Sequence, residues 1–219
     1  MPAENPILLT VGDLQANCYV AFDPASGRAV IIDPGAEAAR IAAAVEEAGL
    51  TPELVFLTHG HYDHIGAVEE LRERFGIPLA AHREEINLLG QPTLNLSWFF
   101  NEAVRLREPE IVLEHGSRVK CGALEGTALW IPGHSPGGAA LYFPDLDGGA
   151  VFTGDALFAG SVGRTDFPGG SMETLLKGIR EHLLVLPPET KVYPGHGPAT
   201  TIGEEAASNP YLVLDGDGY

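Results

Sequence analysis

Between Thr58 and His64 the sequence reads THGHYDH, which places His59, His61, Asp63 and His64 directly after the apolar run Leu54-Val55-Phe56-Leu57. Imidazole nitrogens and carboxylate oxygens are the donors that hold zinc and other first-row divalent ions. Histidines also serve as ordinary polar surface residues, but four such donors packed at the exit of an apolar run point to a metal site. Three later Gly/Pro loops follow apolar runs in the same way and each carries one more candidate: His134 in PGHSPG, Asp155 after Thr153-Gly154, and His196 in PGHGP.

Together these residues are five imidazoles and two carboxylates, more than one four-coordinate zinc can use. Two cations sharing a bridging ligand would use them all, and nitrogen and oxygen donors without thiolate suit zinc, iron or manganese better than copper(I). In two-metal sites a bridging water is acidified to hydroxide near neutral pH and attacks a carbonyl or a phosphorus. Hydrolysis is the chemistry such a cluster predicts. Arg164 in GSVGRTD could bind a substrate carboxylate, or pair with Asp166 or another acid and brace the site loop; bracing is the favoured expectation because arginine suits multidentate bonds. His82, His115 and His182 fall outside the ligand loops and are expected to be surface or structural residues.

The elements that must position these loops follow from periodicity. Ile7 to Val11, Cys18 to Phe22 and Ala29 to Ile32 are short runs rich in apolar and β-branched residues separated by turn residues, which predicts an antiparallel meander. Ala38, Ile41, Val45 and Ala48 then recur at helical spacing up to Gly49, and Val68, Leu71 and Phe75 do so up to Gly76. Strands are expected at 54–57, 77–81, 127–131, 139–143, 150–153 and 191–193, with a helix from Met172 to Leu183 capped by Ser171. Residues 91–110 show no clean period; their triplet Trp98-Phe99-Phe100 could line a pocket or a dimer contact, but is expected to fill core. Strands interspersed with helices, some of them hairpin-connected, predict a mixed α/β fold with a mixed sheet or two sheets.

Composition bounds the partners. The 219 residues, 45% hydrophobic, suffice for one large domain. Thirteen basic against thirty acidic residues leave a formal charge of -17, which repels nucleic-acid phosphates and anionic membranes. Cys18 and Cys121 are too far apart in sequence and too few for a thiolate metal site or disulfide framework, and are expected to be buried. No targeting segment or membrane span is evident, so a cytoplasmic protein is expected.

The order THGHYDH, PGHSPG, TGD and PGHGP resembles the metallo-β-lactamase superfamily, and GDALFAGSVGRTDFPGG with PGHGPATTIGEE and NPYL resembles its compact bacterial glyoxalase II-like branch. The resemblance covers nearly the whole chain. It implies an αββα sandwich of two mixed sheets flanked by helices, as a single domain over 1–219 without the helical C-terminal domain of full-length glyoxalase II. It implies two divalent ions, zinc first, with His59, His61 and His134 on one metal, Asp63, His64 and His196 on the other, and Asp155 bridging. Asp63 and Asp155 would orient the metal-held hydroxide. The implied activity is hydrolysis of a thioester such as S-lactoylglutathione, a small-molecule partner, with a homo-oligomer compatible. The alternatives are a lactonase or other ester hydrolase of this fold, and a persulfide dioxygenase with one iron on the equivalents of His59, His134 and Asp155. Compact relatives often have arginine after Gly-Glu-Glu, where this chain has Ala206.

Overall fold

Alternation along the strands sorts the apolar residues into three separate layers in the computed structural model, which describes residues 5–213. In the strand Thr51–Phe56 and the residue after it, Leu54 and Phe56 point one way and Val55 and Leu57 the other; in the strand Arg28–Ile32, Val30 and Ile32 oppose Ala29 and Ile31. Successive strand side chains lie on opposite faces, so strands apolar at every position must be covered on both sides.

The first sheet runs β1 (Ile7–Val11), β2 (Ala16–Phe22), β3 (Arg28–Ile32), β4 (Thr51–Phe56), β5 (Leu79–His82) and β6 (Ile111–Leu113) in sequence order, antiparallel up to β3 and parallel thereafter. The second takes β7 (Arg118–Cys121), β8 (Leu124–Trp130), β9 (Ala139–Phe143) and β10 (Ala150–Gly154) as an antiparallel meander. The hairpin β11 (Leu157–Phe158) and β12 (Ser161–Val162) follows, then β13 (Lys191–Pro194) parallel to β10 and β14 (Thr200–Thr201) antiparallel to β13.

Side chains between the sheets, among them Val30, Ile32, Phe56, Leu141, Phe143 and Phe152, form the central core. The outer face of the first sheet is covered by α1 (Ala38–Glu47) and α3 (Val68–Phe75), which bury Ile41, Val45, Val68 and Leu71 against Val55 and Leu57. Between them in sequence lies a single turn, α2 (Tyr62–Ile65), and after β5 comes the short α4 (Ile86–Leu89). The outer face of the second sheet is covered by α5 (Met172–Gly178), α6 (Ile202–Ser208) and α7 (Pro210–Val213), through Leu175, Ile202 and Leu212. The architecture is the αββα sandwich of two mixed sheets.

Ser171 caps α5 by accepting from Thr174 N at 3.2 Å, but the expected helix to Leu183 changes at Ile179 into a π-helical turn. The expected strand at 77–81 begins at Leu79, and the tail folds into two helices that its polar sequence does not announce. Cys18 and Cys121 are buried as expected. The aromatic triplet corrects its expectation: Trp98, Phe99 and Phe100 sit on a 3₁₀ turn and are 63%, 72% and 47% exposed. Both apolar faces of the first sheet are already filled, and Asn95 ties this segment beside α2 by accepting from Tyr62 N at 2.8 Å, so the turn lies above the core. Among the described residues no helix is long and apolar enough to cross a membrane.

Phe56 is fully buried between the two sheets. Phe56→Ala should lower stability to urea by about 3–5 kcal/mol, read as a drop in the unfolding midpoint at unchanged slope.

Candidate metal centre

β3 and β4 are parallel, so both end at the same edge of the first sheet, and β10 and β13 likewise share one edge of the second. Asp33 leaves β3 and meets Thr58 leaving β4. Its carboxylate accepts from Thr58 N at 2.8 Å and Thr58 Oγ1 at 2.5 Å, and lies 3.1 Å from His64 Nδ1. The carbonyl of Thr58 accepts from Ala139 N of β9 at 2.7 Å, which joins the two sheets at this point. Gly154 packs directly on the Thr58 side chain in a backbone conformation, φ +50°, that favours glycine. A Cβ at Gly195 would overlap Asp155 Oδ1, so the loop carrying His196 reaches the cluster only with glycine there.

Three of the five imidazoles are held from behind. His59 Nδ1 lies 3.1 Å from Thr58 Oγ1, His64 Nδ1 contacts Asp33, and His134 Nδ1 donates to the carbonyl of Arg164 at 2.8 Å. Partners of this kind fix the tautomer and ring direction of ligand histidines. The opposite nitrogens converge. His59, His61 and His134 form one triplet with ligand atoms within 4.8 Å of one another, and Asp63, His64 and His196 form a second. His61 Nδ1 is 2.9 Å from His134 Nε2, and His196 Nε2 is 3.1 Å from Asp63 Oδ2. Asp155 lies between the triplets, with Oδ1 3.5 Å from His64 Nε2 and Oδ2 3.7 Å from both His134 Nε2 and His196 Nε2. All seven expected ligand residues are thus brought together.

Asp63 and His64 reach the cluster from the one-turn α2, where the sequence predicted only a loop. Asp33 also groups with His59 and His64, but its oxygens are already taken by Thr58 and His64, so it orients ligands instead of adding a third site.

The electrostatics fit a cation. Burial holds His59 and His61 neutral, His61 down to about 3, and pushes His134 down as well. Burial works against charge on His64 too, yet Asp63, Asp155 and Asp33 outweigh it and raise His64 to about 10. Burial opposes ionisation of Asp63, but His64 and His196 hold its carboxyl below the usual range. The carboxylates therefore demand positive charge, from protons or from metal. His59 Nε2, His64 Nε2 and Asp155 Oδ1 are buried without a hydrogen-bond partner, an arrangement that costs free energy unless something binds there. Neutral nitrogen donors, the ionised Asp63 and unpartnered buried atoms together fit divalent metal ions.

The cluster floors a cavity of about 590 Å³. Arg164 Nε and Nη2 donate to Asp166 at 2.6 Å each, the expected bracing pair, and the guanidinium stands 4.2 Å from the Phe167 ring centroid. His82 stacks on Trp130 with centroids 5.3 Å apart, and His115 contacts His182, all outside the cluster as expected.

Sequence reasoning missed Asp33 and Glu85. Asp33 was visible only as the head of an Asp-Pro-Gly turn. Glu85 is buried and accepts from Gly60 N at 2.9 Å and Gly137 N at 2.6 Å, which fastens the THGHYDH loop to the PGHSPG loop; nothing in its local sequence marks it.

Residues 11–196 match the Metallo-beta-lactamase superfamily. The chain is 42% identical to the probable metallo-hydrolase YqgX of Bacillus subtilis, over 93% of this chain and 95% of that one. It is 37% identical to the hydroxyacylglutathione hydrolase GloC of Haemophilus influenzae, over 94% and 96%. Among solved structures, the BLEG-1 B3 metallo-beta-lactamase superposes with a TM-score of 0.89 at 37% identity, covering 95% of this chain and 99% of that one. TTHA1623 in a di-iron-bound form superposes with 0.82 at 40%, covering 94% and 100%.

Asp33→Asn replaces an acceptor for His64 Nδ1–H with an amide. Metal affinity should fall about 10- to 100-fold, measured by competition with a chromophoric chelator, with the circular dichroism unchanged. In chelator-stripped protein, His59, His61 and His134 stay neutral when folded but protonate below about 6.5 when unfolded, so stability drops as pH falls below that value. His64 holds its proton when folded up to about 10, so its contribution is complete below about 6.5 and is lost as pH rises towards 10. Urea midpoints of the stripped protein should therefore peak near neutral pH and fall on both sides.

Proposed function

The chain belongs to the metallo-β-lactamase superfamily, and from that premise we propose that it is a metal-dependent hydrolase of acyl thioesters, with S-lactoylglutathione as the first substrate to assay. The observation that carries this reading is the convergence of two complete ligand triplets with Asp155 between them. His59, His61 and His134 would hold one divalent ion, Asp63, His64 and His196 the other, and Asp155 would contact both. Such ions lower the pKa of water towards neutrality and polarise an acyl carbonyl.

The protein's own residues do the rest. Asp63 and Asp155 line the floor of the cavity as ionisable oxygens that can accept hydrogen bonds from an attacking water and direct it at a carbonyl above them. His134 is kept from rotating by the Arg164 carbonyl, His64 by Asp33, and the loops themselves by Glu85, so the floor is preorganised. In the reaction the water oxygen bonds to the acyl carbon, the carbon–sulfur bond breaks, and the water proton leaves with the thiol. Similarity to GloC along nearly the whole of both chains supports a thioester over other activated carbonyls.

A one-iron dioxygenase reading would use His59, His134 and Asp155. It gives no metal role to Asp63, His64 and His196, which gather with His64 Nε2 buried and unpartnered.

Elemental analysis of the purified protein should give two metal ions per chain, and S-lactoylglutathione or another acyl thioester should release thiol. Asp155→Ala should cut kcat by at least about a hundredfold and lower metal content. One iron per chain, with oxygen consumed on a persulfide and every thioester left intact, would replace this reading with the dioxygenase.

A further inference from the structure

Resting on the hydrolase reading, we infer that the substrate carries an apolar, uncharged arm and that the wall above the cluster is built to hold it. The floor of the cavity is the ligand cluster, but its walls are Leu14, Leu96, Phe99, Phe100, Phe167 and Pro168. Leu14, Phe99 and Phe100 are 43%, 72% and 47% exposed, so this wall leaves large apolar side chains in water around one opening. A concentrated apolar rim beside convergent polar groups is the usual form of a small-molecule site. The wall is also positioned: Phe100 stacks on Tyr62 with centroids 5.4 Å apart, and Tyr62 stands next to the ligand Asp63 in α2.

Charge points the same way. Glutathione brings two carboxylates, whose recognition calls for cations in the wall. Among the described residues Arg164 is the one lysine or arginine lining this cavity, and both its Nε and Nη2 are engaged by Asp166 while its face covers Phe167. The adjoining cavity shares Leu14, Tyr62, Asp63 and Phe100 with the first and adds Asp13 and Glu102, with no basic residue among the described residues. An anionic arm would meet an acidic rim; an apolar arm would cover Phe99 and Phe100. The arm can belong to the acyl group or to the leaving thiol.

The test uses the metal-loaded protein as purified and two series of thioesters. One varies the acyl group from acetyl to hexanoyl on neutral N-acetylcysteamine. The other keeps the acetyl group and varies the thiol among N-acetylcysteamine, hexanethiol and glutathione. Because each buried methylene is worth about fourfold, kcat/KM should rise at least about tenfold with the hexyl arm in one series. The series that responds identifies which side carries the arm, and acetylglutathione should be no better than acetyl-N-acetylcysteamine. Phe99→Ala and Phe100→Ala, both partly exposed positions that spare the core, should cut the hexyl-to-acetyl ratio at least about threefold. A ratio near one in both series, or a glutathione preference that survives Phe99→Ala, overturns the inference while leaving a thioester hydrolase standing. Calorimetric binding of S-methyl and S-hexyl N-acetylcysteamine thioethers decides separately from turnover. If no thioester is cleaved, the hydrolase reading fails; hexyl binding that is tighter and weakened by Phe99→Ala still supports the apolar wall, and binding independent of length overturns it.

Discussion

A carboxylate taken out of water must find its hydrogen bonds within the protein, and the way Asp33 does so fixes the geometry of everything around it. Its two oxygens engage Thr58 N, Thr58 Oγ1 and His64 Nδ1, which locks the exit of β3 to the exit of β4 and sets the ring of a ligand in the next helical turn. Thr58 carries the constraint onward. Its carbonyl takes the amide of Ala139 in the opposite sheet, and its side chain lies against Gly154, the residue before Asp155. One buried threonine thus ties three strand ends to a single carboxylate.

The remaining ligand loops are secured by similar cross-links between distant parts of the chain. Asn17 of β2 donates to the carbonyls of Pro194 at 3.1 Å and Gly197 at 2.9 Å, so the first sheet holds the loop that bears His196 although that loop belongs to the second. Glu85 spans the two histidine loops from the other side. Hydrogen bonds that satisfy buried backbone amides cost much more to break than they contribute when formed, so the sheets cannot slide past each other without exposing these groups. The site is as rigid as the sandwich because it is made from the same contacts.

Within that frame the cluster concentrates imidazoles that burial keeps neutral and a carboxylate, Asp63, that His64 and His196 keep ionised. The charge is unbalanced until a cation arrives, and protons on His64 are the substitute when it does not. Metal binding and protonation therefore compete for the same nitrogen. The pocket above obeys a different rule. Part of its wall, Leu96, Phe99 and Phe100, comes from a segment excluded from the core and part from Leu14, Phe167 and Pro168, and Phe99 and Phe100 remain in contact with water. The floor gathers the candidate ligands, and the wall presents the large apolar side chains.

The ligands were legible in the sequence because each sits in a short Gly/Pro loop at the end of an apolar run, and the order of those loops is itself specific. The sandwich itself was implied only by the resemblance to the superfamily, but a mixed α/β fold was legible because strand and helix periods alternate and β3, β4 and β10 are apolar at consecutive positions. Asp33 and Glu85 were not, since a buried carboxylate differs from a surface one only in what surrounds it, and their partners lie 25 to 52 residues away. Nor was the place of Trp98, Phe99 and Phe100: hydrophobicity favoured core, but whether a face remains for them to fill depends on how completely Val55, Leu57 and the helices α1 and α3 have already closed it. Local pattern determined which residues could bind metal and which runs must be buried; only the packing of the two sheets decided how closely those candidates converge, which carboxylates hold them, and what stands over them.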